Sequence, residues 1–250
     1  MNTMQQSPND ESPAMIHRAP WVIIDTAGEI YPDSPGVIED GAVLIIDGII
    51  RDVGKSSEII GEQHGIPVRD HEQRVLAPAL INGHCHLELS NMEFAGSADR
   101  QADYSDDPTE WIKDLLQAKD SFQQTPGAGE KLINHAREVL ERLAAEGVGF
   151  VGDIGNSVAS KNIGLGQTTE VNFLLELLGL SGKSEEQALE RLKELYADGS
   201  SGFSCTAHAP YSTAPGLIRE IKRLADSRDS IFSIHTAESA QEIEFLKTGK

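Results

Sequence analysis

The sequence predicts an α/β protein built on a parallel sheet and preceded by a small all-β module. Two observations carry this prediction. After Ala77, short apolar runs alternate with amphipathic helical stretches, the pattern of parallel strands joined by helices. Before it, β-branched runs are separated by turn residues. The composition agrees with a packed globular chain: 39% of the 250 residues are hydrophobic and 24% charged, which excludes a wholly disordered or fibrous protein.

Met1–Ala14 reads as a polar, disordered tail. In residues 15–76, Trp21–Ile24 and Ala42–Ile46 are strand candidates. Asp47-Gly48 is a strong two-residue hairpin signal, with Ile49–Val53 as the return strand. Val68 and Arg74–Leu76 suggest edge pieces. In residues 77–250, Leu80–Asn82 ends a strand at His84. Helical periodicity covers Thr109–Lys119 and Glu130–Glu146, the latter with Leu132, Ile133, Ala136, Val139, Leu140 and Leu143 on one face. Gly147–Asp153 is a helix stop followed by a buried strand. Val171–Leu178 is the third strand candidate, although Phe173–Leu178 also fits a helix. Ser184–Ala197 reads as a helix with Ser184 as N-cap and Gln187 three residues on. Gly202–Ala207, Pro215–Asp226, Ile231–Ile234 and Ser239–Leu246 then give strand, helix, strand and helix, with Pro215 in a first turn.

Charge and cysteine content narrow the function. With 21 Lys+Arg against 40 Asp+Glu, the net charge of -19 has the wrong sign for a binder that neutralises phosphates or anionic membranes. No nucleic-acid or membrane partner is expected. Cys85 and Cys205 make no disulfide framework and fit a reducing compartment. No stretch is long and apolar enough for a transmembrane helix, and the polar start is no signal peptide, so the expected location is the cytoplasm.

Four of the eight histidines fall at predicted strand ends, where catalytic residues of strand-helix barrels lie. His84 and His86 stand at i and i+2 of a strand, on the same side and ~6–7 Å apart, so both can face one metal ion. Cys85 then faces away. His235, ending the fifth strand, offers a third imidazole. Three protein ligands leave a position for water, as in catalytic metal sites. Glu238 is either a proton carrier beside that water or a first-turn residue that suits the helix dipole. His208, in the tight turn His208–Thr213, either touches substrate at the rim or fixes the turn. His17, His64, His71 and His135 fall in turns or on a helix and show no metal-ligand spacing in the sequence.

These motifs resemble the amidohydrolase superfamily in its mononuclear aminohydrolase branch, which holds guanine and cytosine deaminases, triazine chlorohydrolases and nucleoside deaminases. The likeness rests on Leu76-Ala77-Pro78-Ala79-Leu80-Ile81-Asn82-Gly83-His84-Cys85-His86-Leu87-Glu88-Leu89-Ser90, Gly147–Gly155, Ala207–Ser212 and His235-Thr236-Ala237-Glu238-Ser239, in the family's order. The HLELS form, Trp111 and the segment after His235 look most like aminodeoxyfutalosine and S-adenosylhomocysteine deaminases.

The resemblance implies a (β/α)8 TIM-type barrel preceded by a small β-sandwich. It implies His84, His86 and His235 as metal ligands, Glu238 as the catalytic proton shuttle, and His208, Glu88 and Trp111 as substrate contacts. The family's binuclear members bridge two ions through a fourth-strand Lys; Gly202–Ala207 contains none, so one divalent ion is implied, Zn2+ with Fe2+ as the alternative. A full barrel takes ~250 residues, more than Ala77–Lys250 supplies. Only about the first five units are expected, and the sixth-strand His and eighth-strand Asp are missing, as in the N-terminal portion of a longer enzyme. The implied activity is hydrolytic removal of an exocyclic amino group from a purine-like or nucleoside-derived small molecule by metal-activated water, in a chain that the resemblance allows to be a homodimer. The alternatives are another C–N or C–Cl hydrolase on the same scaffold, or an inactive truncated paralogue or binding module. No Arg lies between Arg142 and Arg191, which counts against a carboxylate clamp from strands two and three.

Overall fold

The computed structural model describes residues 14–24, 36–90, 108–197 and 202–249. The expected tail lies outside the described residues except for Ala14. The chain divides into two compact units, Met1–Pro78 and Ala79–Lys250.

The first unit contains β1 (Ala14–Ile23), β2 (Val37–Ile46), β3 (Ile49–Lys55), α1 (Ser56–Glu62), β4 (Val68–Asp70) and β5 (Val75–Leu76). The sheet runs β3-β2-β1-β4, with β5 also on β1. β1, β2 and β3 pair antiparallel, whereas β4 and β5 join β1 in parallel. Asp47 and Gly48 carry φ of 52° and 74°. Positive φ at both turn residues matches the right-handed twist of the strands they join, and glycine adopts it without a Cβ penalty. The expectation of an all-β module is corrected by α1. That helix has only seven residues, too few to show a 3.6-residue period, and it buries Ile59 against Ile16, Ala42 and Leu44.

The second unit contains β6 (Leu80–Cys85), α2 (Pro108–Gln123), α3 (Ala128–Ala145), β7 (Val148–Gly155), β8 (Glu170–Leu177), α4 (Gly182–Tyr196), β9 (Ser204–Ala207), α5 (Pro215–Ser227) and α6 (Ala240–Thr248). The four strands pair in parallel in the order β6-β7-β8-β9. Sequential order without reversal is the winding of a barrel sheet, in contrast to the doubly wound order, which reverses at a switch point. The apolar face read on α3 packs as expected: Ala136 and Leu140 are buried with Leu87, Val151 and Ile163. Phe173, Leu175 and Leu177 of β8 and Cys205 and Ala207 of β9 pack against Ala188, Leu192, Leu217 and Ile221 of α4 and α5. Because strand side chains alternate, Leu174, Glu176 and Thr206 face the opposite side.

Two expectations change. The N-cap of α4 is Ser181 rather than Ser184; Ser184 sits in the first turn and donates back to the Ser181 carbonyl at 2.8 Å. Ile231–Ile234, expected as a fifth strand, forms no regular ladder among the described residues. The Thr206 hydroxyl accepts from Ser233 N at 3.0 Å and also bonds the Ser233 carbonyl. That side chain occupies the backbone groups a ladder would use. One main-chain bond remains beside it, from His235 N to His208 O at 2.8 Å. Among the described residues no helix is long and apolar enough to cross a membrane.

Candidate metal centre

The C-terminal ends of the parallel strands carry the polar side chains. His84 lies near the end of β6 and His86 just beyond it. The β6–β7 register shifts between Asn82 and Cys85, so the HxH stretch leaves the ladder there. Gly152 of β7 makes room for this departure. A Cβ at that position would sit 2.5 Å from the Gly83 carbonyl oxygen, a backbone atom that cannot rotate away.

His84, His86 and His235 converge. The Nε2 atoms of His84 and His86 are 3.3 Å apart, and so are those of His86 and His235, although His235 comes 149 residues later. Each ring is fixed through its other nitrogen. His86 Nδ1 lies 3.0 Å from the Ile154 carbonyl, which can only accept, so Nδ1 carries the hydrogen. His235 Nδ1 lies 2.7 Å from Glu238 Oε1, and His84 Nδ1 2.9 Å from Ser233 Oγ. The Nε2 atoms of His86 and His235 therefore face each other as lone pairs with no hydrogen between them. A shared cation satisfies that geometry. Burial first, and then the neighbouring His235, lowers the pKa of His84, and the same causes push His86 down to about 4. Both imidazoles are then in the form that ligates metal at neutral pH. The donor set fits a divalent ion held by His84, His86 and His235. Cys85 turns to the core beside Leu87 and Val151; burial, with Asp153, pushes its thiol up to about 12, which keeps the thiolate out of reach as a ligand.

Glu238 uses both oxygens, one on His235 and the other accepting from the Tyr211 hydroxyl at 3.1 Å. The turn to it passes through Ala237 at φ 61°, a conformation that costs a non-glycine residue about 1 kcal/mol. The start of α6 fixes this turn: Ser239 Oγ accepts from Glu242 N, and Glu242 Oε2 accepts from Glu238 N at 2.8 Å. His208 hydrogen bonds through Nδ1 to Ser212 Oγ at 2.6 Å while Ser212 donates to the Ala209 carbonyl. His208 thus fixes the turn through a side chain and still faces His235, with ring centroids 5.1 Å apart.

Glu88 is buried. Its oxygens take Lys119 Nζ at 2.9 Å and Asn156 N at 3.1 Å. Lys119 also donates to Asn156 Oδ1, and Asn156 Nδ2 donates to Glu176 Oε2 at 2.9 Å. The structure thereby adds Glu176, which sequence reasoning passed over. Its other oxygen, Oε1, is buried without a hydrogen-bond partner and lies 3.7 Å from His235 Nε2. A lone acid inside the apolar run Phe173–Leu178 was the signal that could have found it. Trp111 lies in the first turn of α2, and its side chain falls outside the described residues.

Comparison with known proteins places this architecture. Residues 75–250 match the model of the amidohydrolase family. An adenosine deaminase from Helicobacter pylori is 27% identical over 222 residues, 86% of this chain and 50% of that protein. The crystal structure of the Helicobacter pylori aminofutalosine deaminase with methylthio-coformycin superposes with a TM-score of 0.72 at 25% identity, covering 94% of this chain and 54% of that one. A zinc complex of an atrazine chlorohydrolase from Arthrobacter aurescens shares the fold, with a TM-score of 0.71 at 15% identity over 94% of this chain and 56% of that one. The chain spans about half the length of the curated relatives it matches.

Proposed function

The chain belongs to the amidohydrolase family, and on that premise we propose that it serves a metal-dependent hydrolytic deaminase that removes the exocyclic amino group of an adenosine-like nucleoside. The observation that carries this reading is the convergence of three imidazole Nε2 atoms, with 3.3 Å between those of His84 and His86 and between those of His86 and His235, while each Nδ1 is engaged elsewhere. The names of the relatives, deaminases of adenosine, 5'-deoxyadenosine and methylthioadenosine/S-adenosylhomocysteine, support the substrate class. We read residues 15–76 as part of a small β-sandwich and 77–250 as strand-helix units of the metal-bearing barrel. We take the ion as zinc, with iron as the alternative, since imidazole suits both. Both cysteines are free thiols, which supports a cytoplasmic setting.

When bound, the ion supplies the Lewis acidity that lets water attack near neutral pH. The chain's own residues do the rest. The Ile154 carbonyl and Glu238 hold His86 and His235 in the tautomers that present Nε2. Glu238, with its side chain 43% exposed, would take a proton from the attacking water at Oε2 and pass it to a ring nitrogen of the substrate, which helps ammonia leave. The Tyr211 hydroxyl, whose pKa burial and then Glu238 raise, stays a donor and orients that oxygen. His208 and Trp111 are assigned to the substrate side; Glu88, expected there too, is instead buried with both oxygens taken by Lys119, Asn156 and Ser160, and we assign it to holding that network.

The test is zinc content together with ammonia release from adenosine, 5'-deoxyadenosine and S-adenosylhomocysteine. His235→Ala should lose the tightly bound ion and the activity together. Full zinc content in that variant would refute the ligand assignment. An intact zinc site with no ammonia from any of the three, in a protein that carries this chain over the full length its relatives have, would refute the substrate class.

A further inference from the structure

We propose that Glu176, His208 and His235 form a second position for a divalent cation, alternative to the three-imidazole one and sharing His235 with it. One donor atom from each of these residues lies within 4.8 Å of the others. Glu176 carries the argument. The residue is 6% exposed, and its Oε2 is held by Asn156, while Oε1 has no hydrogen-bond partner and points at His235. A buried carboxylate oxygen without a partner is costly, and a cation is the ligand that relieves it. The second donor is equally prepared. Ser212 spends its hydroxyl hydrogen on the Ala209 carbonyl, so it accepts from His208 Nδ1 and leaves His208 Nε2 as a free lone pair.

The two positions exclude each other through His235. Its Nδ1 is engaged by Glu238, so a single nitrogen, Nε2, is open to metal, and one lone pair binds one ion. The three-imidazole set is borderline in character. The Glu176 set, with a carboxylate oxygen, is harder and better suited to ions such as Mn2+ that prefer oxygen. An ion seated at Glu176 and His208 therefore draws His235 away from His84 and His86. An excess of an oxygen-preferring ion such as Mn2+ then competes with zinc held at the first position.

Equilibrium dialysis of the full chain against Zn2+ and Mn2+, followed by metal analysis, tests this. The wild type should hold one ion per chain. His84→Ala/His86→Ala should still hold one, with affinity for Zn2+ at least tenfold lower and for Mn2+ little changed. Adding Glu176→Gln should weaken that remaining binding at least tenfold again. If the double replacement does not fold by circular dichroism, His86→Asn takes its place, because its amide can still donate to the Ile154 carbonyl. No ion in a folded variant of this kind, or no effect of Glu176→Gln on it, would overturn the second position. Two tightly held ions in the wild type would overturn the exclusion. The outcome is distinguishable from failure of the first position, which would leave the wild type and the double replacement with the same Zn2+ affinity.

Discussion

Replacing Asp153 by Asn should stabilise the protein at pH 8 and leave it unchanged near pH 4. Asp153 is fully buried on β7, with Oδ1 accepting from Leu87 N at 2.9 Å and Oδ2 without a partner. Burial pushes its carboxyl up to about 7 against the Leu87 hydrogen bond, with Glu88 adding to the rise. Between pH 4 and 7 the unfolded chain has lost a proton that the native chain keeps. Stability therefore falls as pH rises, by about 1.4 kcal/mol per unit and at most about 4 kcal/mol in total. Asn keeps the acceptor for Leu87 and carries no charge. Its unpartnered amide hydrogens match the unpartnered hydroxyl of the protonated acid, so the two proteins should coincide in acid. Urea midpoints of both proteins across pH 4–8 measure the difference. It should open from near zero to between about 2 and 4 kcal/mol in favour of Asn. Parallel curves, or a gap that widens toward acid, would show that Asp153 is ionised in the native state.

Three further outcomes follow from the same contacts. Lys119→Met should cost about 3 kcal/mol in a denaturation midpoint, because it strands the buried Glu88 carboxylate, and adding Glu88→Gln should recover most of it. Glu238→Gln should retain zinc, since the amide oxygen still accepts from His235 Nδ1, while kcat falls by ~10²–10⁴; loss of zinc would assign Glu238 to the metal instead. Gly152→Ala should lower both stability and zinc content, because its methyl meets the Gly83 carbonyl and forces β6 away from β7; unchanged zinc would detach the HxH geometry from this contact.

The site residues were legible where chemistry and spacing coincide. His84 and His86 stand two apart at a strand end, and His235 and Glu238 bracket one turn, so their types and positions spoke together. Glu176 did not speak. Phe173–Leu178 fits a strand or a helix, and only the strand, with Phe173, Leu175 and Leu177 turned to the helices, sends Glu176 to the other face. The fifth strand failed for a different reason. Ile231–Ile234 has the β-branched texture of a ladder, yet the Thr206 hydroxyl takes the bonds at Ser233, an effect of one side chain that no local propensity encodes. The shift of the α4 cap to Ser181 reflects two serines three residues apart, either of which satisfies the local rule.

The distance along the chain between the HxH stretch and His235 makes a bound cation a fastener for the whole unit. His86 and His235 are 149 residues apart. Drawing such a span together in an unfolded chain costs about 4 kcal/mol in entropy from its length alone, roughly a thousandfold in binding. An unfolded chain can hold an ion on the HxH pair, but it pays that penalty to enlist the third ring. Cation affinity and folding are then one equilibrium read from two sides. A chelator should lower the denaturation midpoint, and any core substitution that loosens the second unit should weaken cation binding without touching a ligand.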